Sequence, residues 1–354
     1  MQPINVHDYE VLAQTQLARP IWDYYQGGSE DEISLRTNRT AFAQLRLRPR
    51  VLVDVSNSNL KTSVLNTEID MPILVAPTAA HSMAHSDGEC ATIRGADAAG
   101  SGMIVSNDAS FSMEEIARAS QGLRWYQLYI HTLNEAQQLI KRAEAAGYQA
   151  IVLTVDTPLL SNRERDKRNA MGNFQKKYYP GAFSGNARHT INGSLDNSER
   201  AAYAGHTLTW DTIAWMRTHT SLPIILKGIL TAEDATLAVQ HQVAGIVVSN
   251  HGGRQLDGTI APIEALPEIV AVAAQHCEIY LDGGIRRGTD ILKALALGAQ
   301  AVLIGRPILW GLTVQGSEGV RHILEILQKE LQSAMILAGC PSIKQISRSL
   351  IQWT

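Results

Sequence analysis

From residue 72 onward, short apolar runs alternate with stretches whose apolar residues recur at helical spacing. The runs Ile73–Ala76, Met103–Ser106, Trp125–Tyr129, Ile151–Val155, Ile224–Lys227, Gly245–Ser249, Ile279–Leu281 and Ala301–Ile304 are strand candidates. Several are continuously apolar, as parallel strands buried on both faces must be. Helix starts lie between them: Ser112-Met-Glu-Glu115, Thr132-Leu-Asn-Glu135 and Thr231-Ala-Glu-Asp234 each set an acid three residues after a capping hydroxyl. Ala136, Leu139, Ile140 and Ala143 then mark one face of a helix. Eight strands joined by helices predict an α/β fold, a closed (β/α)8 TIM barrel, with an open doubly wound sheet as the second choice. Residues 1–60 are expected to form an N-terminal helical cap and residues 317–350 a closing helical tail, all within one domain spanning 1–354. Between Val155 and Ile224 the rhythm breaks into a glycine-rich excursion containing Lys176, Lys177, Tyr178 and Tyr179, which predicts a mobile active-site loop over 170–205.

Composition narrows the class. With 45% hydrophobic and 18% charged residues in 354, the chain is globular and long enough to bury a large core. A formal net charge of −3 gives no electrostatic case for nucleic acid or an anionic membrane. No apolar run reaches the roughly 18 residues of a membrane span. The N-terminus lacks a signal-peptide pattern, and Gln352-Trp-Thr354 is not a peroxisomal address. Cys90, Cys277 and Cys340 are odd in number and far apart, which suits free thiols in a reducing cytoplasm and neither a disulfide framework nor a metal site.

Barrel enzymes react at the C-terminal ends of their strands. There the sequence supplies Thr154-Val-Asp-Thr157 with Asn162-Arg163, Leu226-Lys-Gly-Ile229, Ser249-Asn-His-Gly-Gly-Arg-Gln255, Leu281-Asp-Gly-Gly-Ile-Arg-Arg-Gly288 and Ile304-Gly-Arg-Pro307. Glycines admit backbone N–H groups to a phosphate and arginines neutralise it, so Gly284, Arg286, Gly305 and Arg306 read as an anion cradle rather than as plain turns. His251 has the chemistry of a general base, with Asp156 able to orient it. Arg163 and Arg254 suit a carboxylate clamp. Lys227 fits either an electrostatic or a Schiff-base role.

Taken together these motifs resemble the FMN-dependent L-2-hydroxy acid oxidases and dehydrogenases. The resemblance runs from Asp23-Tyr-Tyr25 and Leu47-Arg-Pro-Arg50 through Ile73–Thr78 to the Cys340 region, and Ser249–Leu256 with Asp282–Asp290 is its most specific part. It implies FMN as cofactor and His251 as the base paired with Asp156. It further implies that Arg163 and Arg254 hold the substrate carboxylate, and that Tyr24 and Tyr129 hydrogen-bond substrate oxygens. Lys227 would face the N1–C2 edge of the flavin. Ala76, Thr78, Ser106, Gln127, Thr154 and Ser249 match positions around the isoalloxazine, Asp282 the ribityl contact, and Gly284, Arg286, Gly305 and Arg306 the phosphate cradle. Ala79-Ala80-His81 and Asn162-Arg163 lie closer to lactate oxidase than to glycolate oxidase. The implied reaction is therefore oxidation of a small L-2-hydroxy acid, L-lactate before glycolate, with O2 reoxidising the flavin. A quinone or other acceptor is the alternative. The implied assembly is a tetramer or octamer.

Two departures bear on the substrate. Asp108 stands where the family usually has Trp or Tyr, and Met171–His189 departs from the apolar, Pro-containing segment expected there. Asp108 either lines the pocket or turns away to pair with Arg254, Lys176 or Lys177. Two rival functions remain: a Schiff-base aldolase or phosphosugar isomerase built on Lys227, and a barrel that only binds.

Overall fold

The computed structural model describes residues 3–178 and 208–353. Eight parallel strands close into a barrel in sequential order: β1 (Ile73–Val75), β2 (Gly102–Val105), β3 (Arg124–Leu128), β4 (Ile151–Thr154), β5 (Ile224–Ile229), β6 (Gly245–Val248), β7 (Glu278–Asp282) and β8 (Ala301–Ile304). Every strand candidate is realised. Strands β1 to β4, β6 and β8 are buried at every position, the reason their sequences show no alternation. The three capping hydroxyls also act as expected. Ser112 and Glu115 form a reciprocal capping box, while Thr132 and Thr231 accept from the N–H of Glu135 and Asp234, each at 3.2 Å. Helix Leu133–Ala145 buries the expected Ala136, Leu139, Ile140 and Ala143.

The flanking segments are less uniform than expected. Helices Val6–Gln16, Arg19–Gln26 and Ile33–Thr40 form the cap. After them the chain leaves helical structure at Leu45–Leu47, a strand that pairs antiparallel with Ile351–Trp353. A hairpin of Thr62–Val64 and Thr67–Ile69 follows; its Leu65 and Asn66 both have positive φ, the geometry of a tight two-residue turn. The C-terminal tail is helical from residue 317 to Ala338, as expected, and a further helix from Arg306 leads into it across non-helical backbone at Gln315 and Gly316. The expected loop at 170–205 opens as a helix, Met171–Tyr178, packed on Arg19–Gln26. The remainder of that expectation lies outside the described residues. No helix among the described residues is long and apolar enough to cross a membrane.

Candidate active site

At the C-terminal mouth of the barrel lies a cavity of about 450 Å³, bounded by the strand ends and by helix Arg19–Gln26. Its reactive corner begins at β6. His251, Gly252 and Gly253 take successive φ values of 58°, 65° and 74°, so the chain makes a left-handed arc that only the two glycines accept freely. For His251 that conformation costs about 1–3 kcal/mol and must be held by its surroundings. They hold it on two sides. Its N–H donates to Ser249 Oγ at 3.0 Å, and its Nδ1 meets Asp156 Oδ1 at 2.9 Å. Burial drives the imidazole below the ordinary histidine range, Lys227 and Arg163 add to that, and Asp156 opposes it. Burial alone would raise the Asp156 carboxyl, but His251 and Lys227 outweigh it and the net shift is downward.

Lys227 lies within β5 beside a bulge, where the pairing with β6 shifts register between Lys227 and Ile229. Gly228 makes the bulge possible: its φ is 116°, and a Cβ there would sit 2.6 Å from the Asp156 side chain. Lys227 Nζ lies 2.9 Å from Asp282 Oδ2 and donates to Ser249 Oγ at 2.9 Å. Burial would depress its pKa, yet Asp282 and Asp156 win and raise it. A Schiff-base lysine needs the opposite shift, to supply a free amine. The aldolase reading fails on this point.

The residues expected to clamp a carboxylate come from three elements. Arg254 Nη1 donates to the carbonyls of Tyr24 at 2.7 Å and Gly27 at 2.8 Å, and its guanidinium lies 5.1 Å from the Tyr24 ring centroid. Burial, then Arg163, pushes Arg254 down to about 10, so it stays charged at neutral pH. Arg163 Nε is buried with no hydrogen-bond partner among the described residues. Two guanidinium groups that repel each other in a buried pocket form a site for an anion. Tyr24 and Tyr129 stand beside them, both phenols raised by burial and hence neutral donors.

The expected cofactor positions divide into two groups. Ala76, Thr78, Ser106, Asp282, Gly284, Arg286, Gly305 and Arg306 line the cavity with Lys227, while Gln127, Thr154 and Ser249 are buried behind it. Thr154 pairs with Lys227 in the β4–β5 register. Two buried polar atoms at these expected cofactor positions have no partner among the described residues: Gln127 Nε2 and Asp282 Oδ1. Gln127 Oε1 already accepts from Ser106 Oγ at 3.2 Å and Asn107 N at 3.0 Å, so the amide can only donate further. A flavin answers both needs, with ring carbonyls for Gln127 and ribityl hydroxyls for Asp282. At the far end Gly284 has φ 82°, and a Cβ would fall 1.8 Å from Asn38 O. Arg286 stacks over Trp310 at 4.8 Å, pushed down to about 10 by burial and then by Arg39.

Arg306 is placed differently from its expected use. Its guanidinium donates to the carbonyls of Tyr25, Gly252 and Gly27 at 2.9–3.0 Å, tying the N-terminal cap to the His251 arc. Its side chain is a brace; what it offers a phosphate is its place at the start of helix Arg306–Ala338. Asp108 lines the cavity and is in none of the ion pairs among the described residues, so the pairing with Arg254 is not found. Sequence reasoning missed Asp166 and His131, which also line the cavity. Asp166 follows Arg163 by three residues and His131 follows Tyr129 by two, a spacing that holds the only available signal.

Residues 13–353 match the family model described as FMN-dependent dehydrogenase. The chain belongs to that family. An L-lactate oxidase of Nostoc sp. is 49% identical, covering 99% of this chain and 98% of that protein. A glycolate oxidase of Spinacia oleracea is 46% identical, covering 99% and 96%. Among solved structures, mandelate oxidase with (S)-2-phenylpropionate superposes with a TM-score of 0.87 at 40% identity, covering 100% of this chain and 99% of that one. The cofactor of the family is FMN, and its members here are oxidoreductases that act on 2-hydroxy acids.

Proposed function

We propose that this enzyme oxidises a small L-2-hydroxy acid, of lactate or glycolate size, to the 2-keto acid. The observation that carries the reading is the His251–Asp156 pair at 2.9 Å, in one cavity with the Arg163–Arg254 clamp and the flavin-matching orphan atoms. Arg254 and Arg163 bind the carboxylate and so fix the position of C2. Tyr24 and Tyr129 donate to substrate oxygens. The His251 Nδ1 is held by Asp156, which leaves Nε2 as the atom that accepts a substrate proton. Asp156 then stabilises the imidazolium.

When bound, FMN supplies the two-electron acceptor for this oxidation, and O2 takes the pair onward as hydrogen peroxide. Gln127, Asp282, Ser106 and Thr78 would hold its ring and ribityl chain; Arg286 and the backbone at Gly284 and Gly305 would hold its phosphate. The fixed Lys227 ammonium suits stabilising negative charge on the reduced ring. The test is anaerobic addition of L-lactate or glycolate to the yellow holoenzyme. Bleaching of the flavin, restored by air with one peroxide per turnover, is the expected result. Bleaching that air does not reverse, while a quinone does, would move the enzyme to the dehydrogenases. The reading extends to a tetramer or octamer, supported by exposed Val51, Leu52 and Leu337 and checked by light scattering of the holoenzyme.

A further inference from the structure

We propose that Asp108 selects 2-hydroxy acids whose tail beyond C2 carries a hydrogen-bond donor, a hydroxyl or an ammonium. This rests on the oxidase reading above and narrows its substrate. Asp108 follows β2, and its backbone is fixed on both sides: its N–H donates to Ser106 Oγ at 3.1 Å, and its carbonyl accepts from Ala80 N–H at 3.2 Å. The side chain faces the cavity that also holds Tyr24, Tyr129 and the two arginines. Among the described residues its carboxylate receives one long hydrogen bond, from Asn107 Nδ2 to Oδ1 at 3.4 Å, which leaves most of its accepting capacity open to a ligand. After burial, the Asp108 charge is the next largest influence raising the Tyr129 phenol.

A substrate clamped through its carboxylate and turned toward His251 brings its tail into this neighbourhood. An apolar tail there would strip water from the carboxylate and give no bond in return. A second carboxylate would be repelled. A hydroxyl or ammonium supplies the missing donor. His131, whose ring centroid lies 6.5 Å from that of Tyr129, adds a second polar group to the same wall: its Nδ1 is buried with no hydrogen-bond partner among the described residues.

The experiment measures kcat/KM for flavin reduction in the holoenzyme with matched pairs. L-Glycerate is compared with L-lactate, and L-4-amino-2-hydroxybutanoate with L-2-hydroxybutanoate; L-malate serves as the doubly anionic case. The donor-tailed member of each pair should lead by roughly ten- to a hundredfold, less than the discrimination of a fully enclosed polar site. Malate should be the poorest. Asp108→Asn keeps the size and removes the charge, so the ammonium preference should disappear and malate should improve. Lactate equal to or better than glycerate in the wild type overturns the proposal, and that ranking does not depend on the variant folding. Ratios unchanged in Asp108→Asn overturn it as well. If none of the five acids bleaches the flavin, the oxidase reading itself fails.

Discussion

Replacing Asp156 by Asn isolates what the carboxylate gives His251. The contact is 2.9 Å, and the two side chains are 18% and 12% exposed, so the pair is neither dry nor freely solvated. Taking charge centres ~4 Å apart and an effective dielectric of ~20, the imidazolium that forms during turnover gains about 4 kcal/mol from the carboxylate. That corresponds to about three powers of ten in rate. Asparagine keeps the shape and an acceptor oxygen for Nδ1, so part of the interaction survives and the expected loss is about 10²–10³ in the rate of flavin reduction. The pH profile should move in a stated direction. Activity requires neutral His251, so the rate rises with pH through its pKa, which burial holds below the ordinary histidine value, and then stays flat. Asp156 holds that pKa up; without it the acid limb shifts to still lower pH while the plateau falls. Anaerobic stopped-flow across the acid range reads both. A plateau within about threefold of wild type, or a limb that moves to higher pH, would falsify the assignment of Asp156 as the anion that stabilises protonated His251.

Other outcomes follow from single contacts. Arg254→Lys keeps a charge but loses the fork that spans Tyr24 O, Gly27 O and the substrate; binding of oxalate, followed by flavin difference spectra, should weaken by roughly 2–5 kcal/mol while FMN content is retained. Arg286→Ala should purify with depleted FMN yet recover activity on added cofactor, whereas Arg306→Ala should also lose protection of helix Arg19–Gln26 in hydrogen exchange, because Arg306 braces Tyr25 and Gly27. Gly228→Ala would press a methyl group 2.6 Å from the Asp156 side chain at φ 116°; the flavin reduction rate should fall with the FMN spectrum little changed, and normal reduction would show that the bulge has no part in aligning the pair.

The barrel was readable because its signal is local. Most strands are short runs buried on both faces, and helix caps such as Ser112–Glu115 lie within four residues of sequence. The elements that escaped are those whose partners are remote. Leu45–Leu47 is three residues long and pairs with Ile351–Trp353, some three hundred positions away, so nothing in its own neighbourhood announces a strand. In the site, side chains that meet side chains of opposite character were legible, as with His251 and Asp156. Arg306 was not, because its partners are the carbonyls of Tyr25, Gly27 and Gly252, and a carbonyl belongs to every residue. Asp108 could be flagged as unusual, but which way it turned depended on the bonds from Ser106 and Ala80 to its backbone.

Those arginine-to-carbonyl bonds also set an order of assembly. Arg254 reaches Tyr24 across 230 positions of chain, and Arg306 reaches Tyr25 across 281. Closing loops of that length costs about 5 kcal/mol in chain entropy before any contact repays it, and contacts so distant form late. The segment synthesised first is thus the last to be seated. A nascent chain that has completed Ile304 holds all eight strands and the Arg254 tie to Tyr24, yet Tyr25 and Gly27 lack their Arg306 donor until residue 306 has emerged. Until then helix Arg19–Gln26 is tied to the barrel through Arg254 without its second arginine brace.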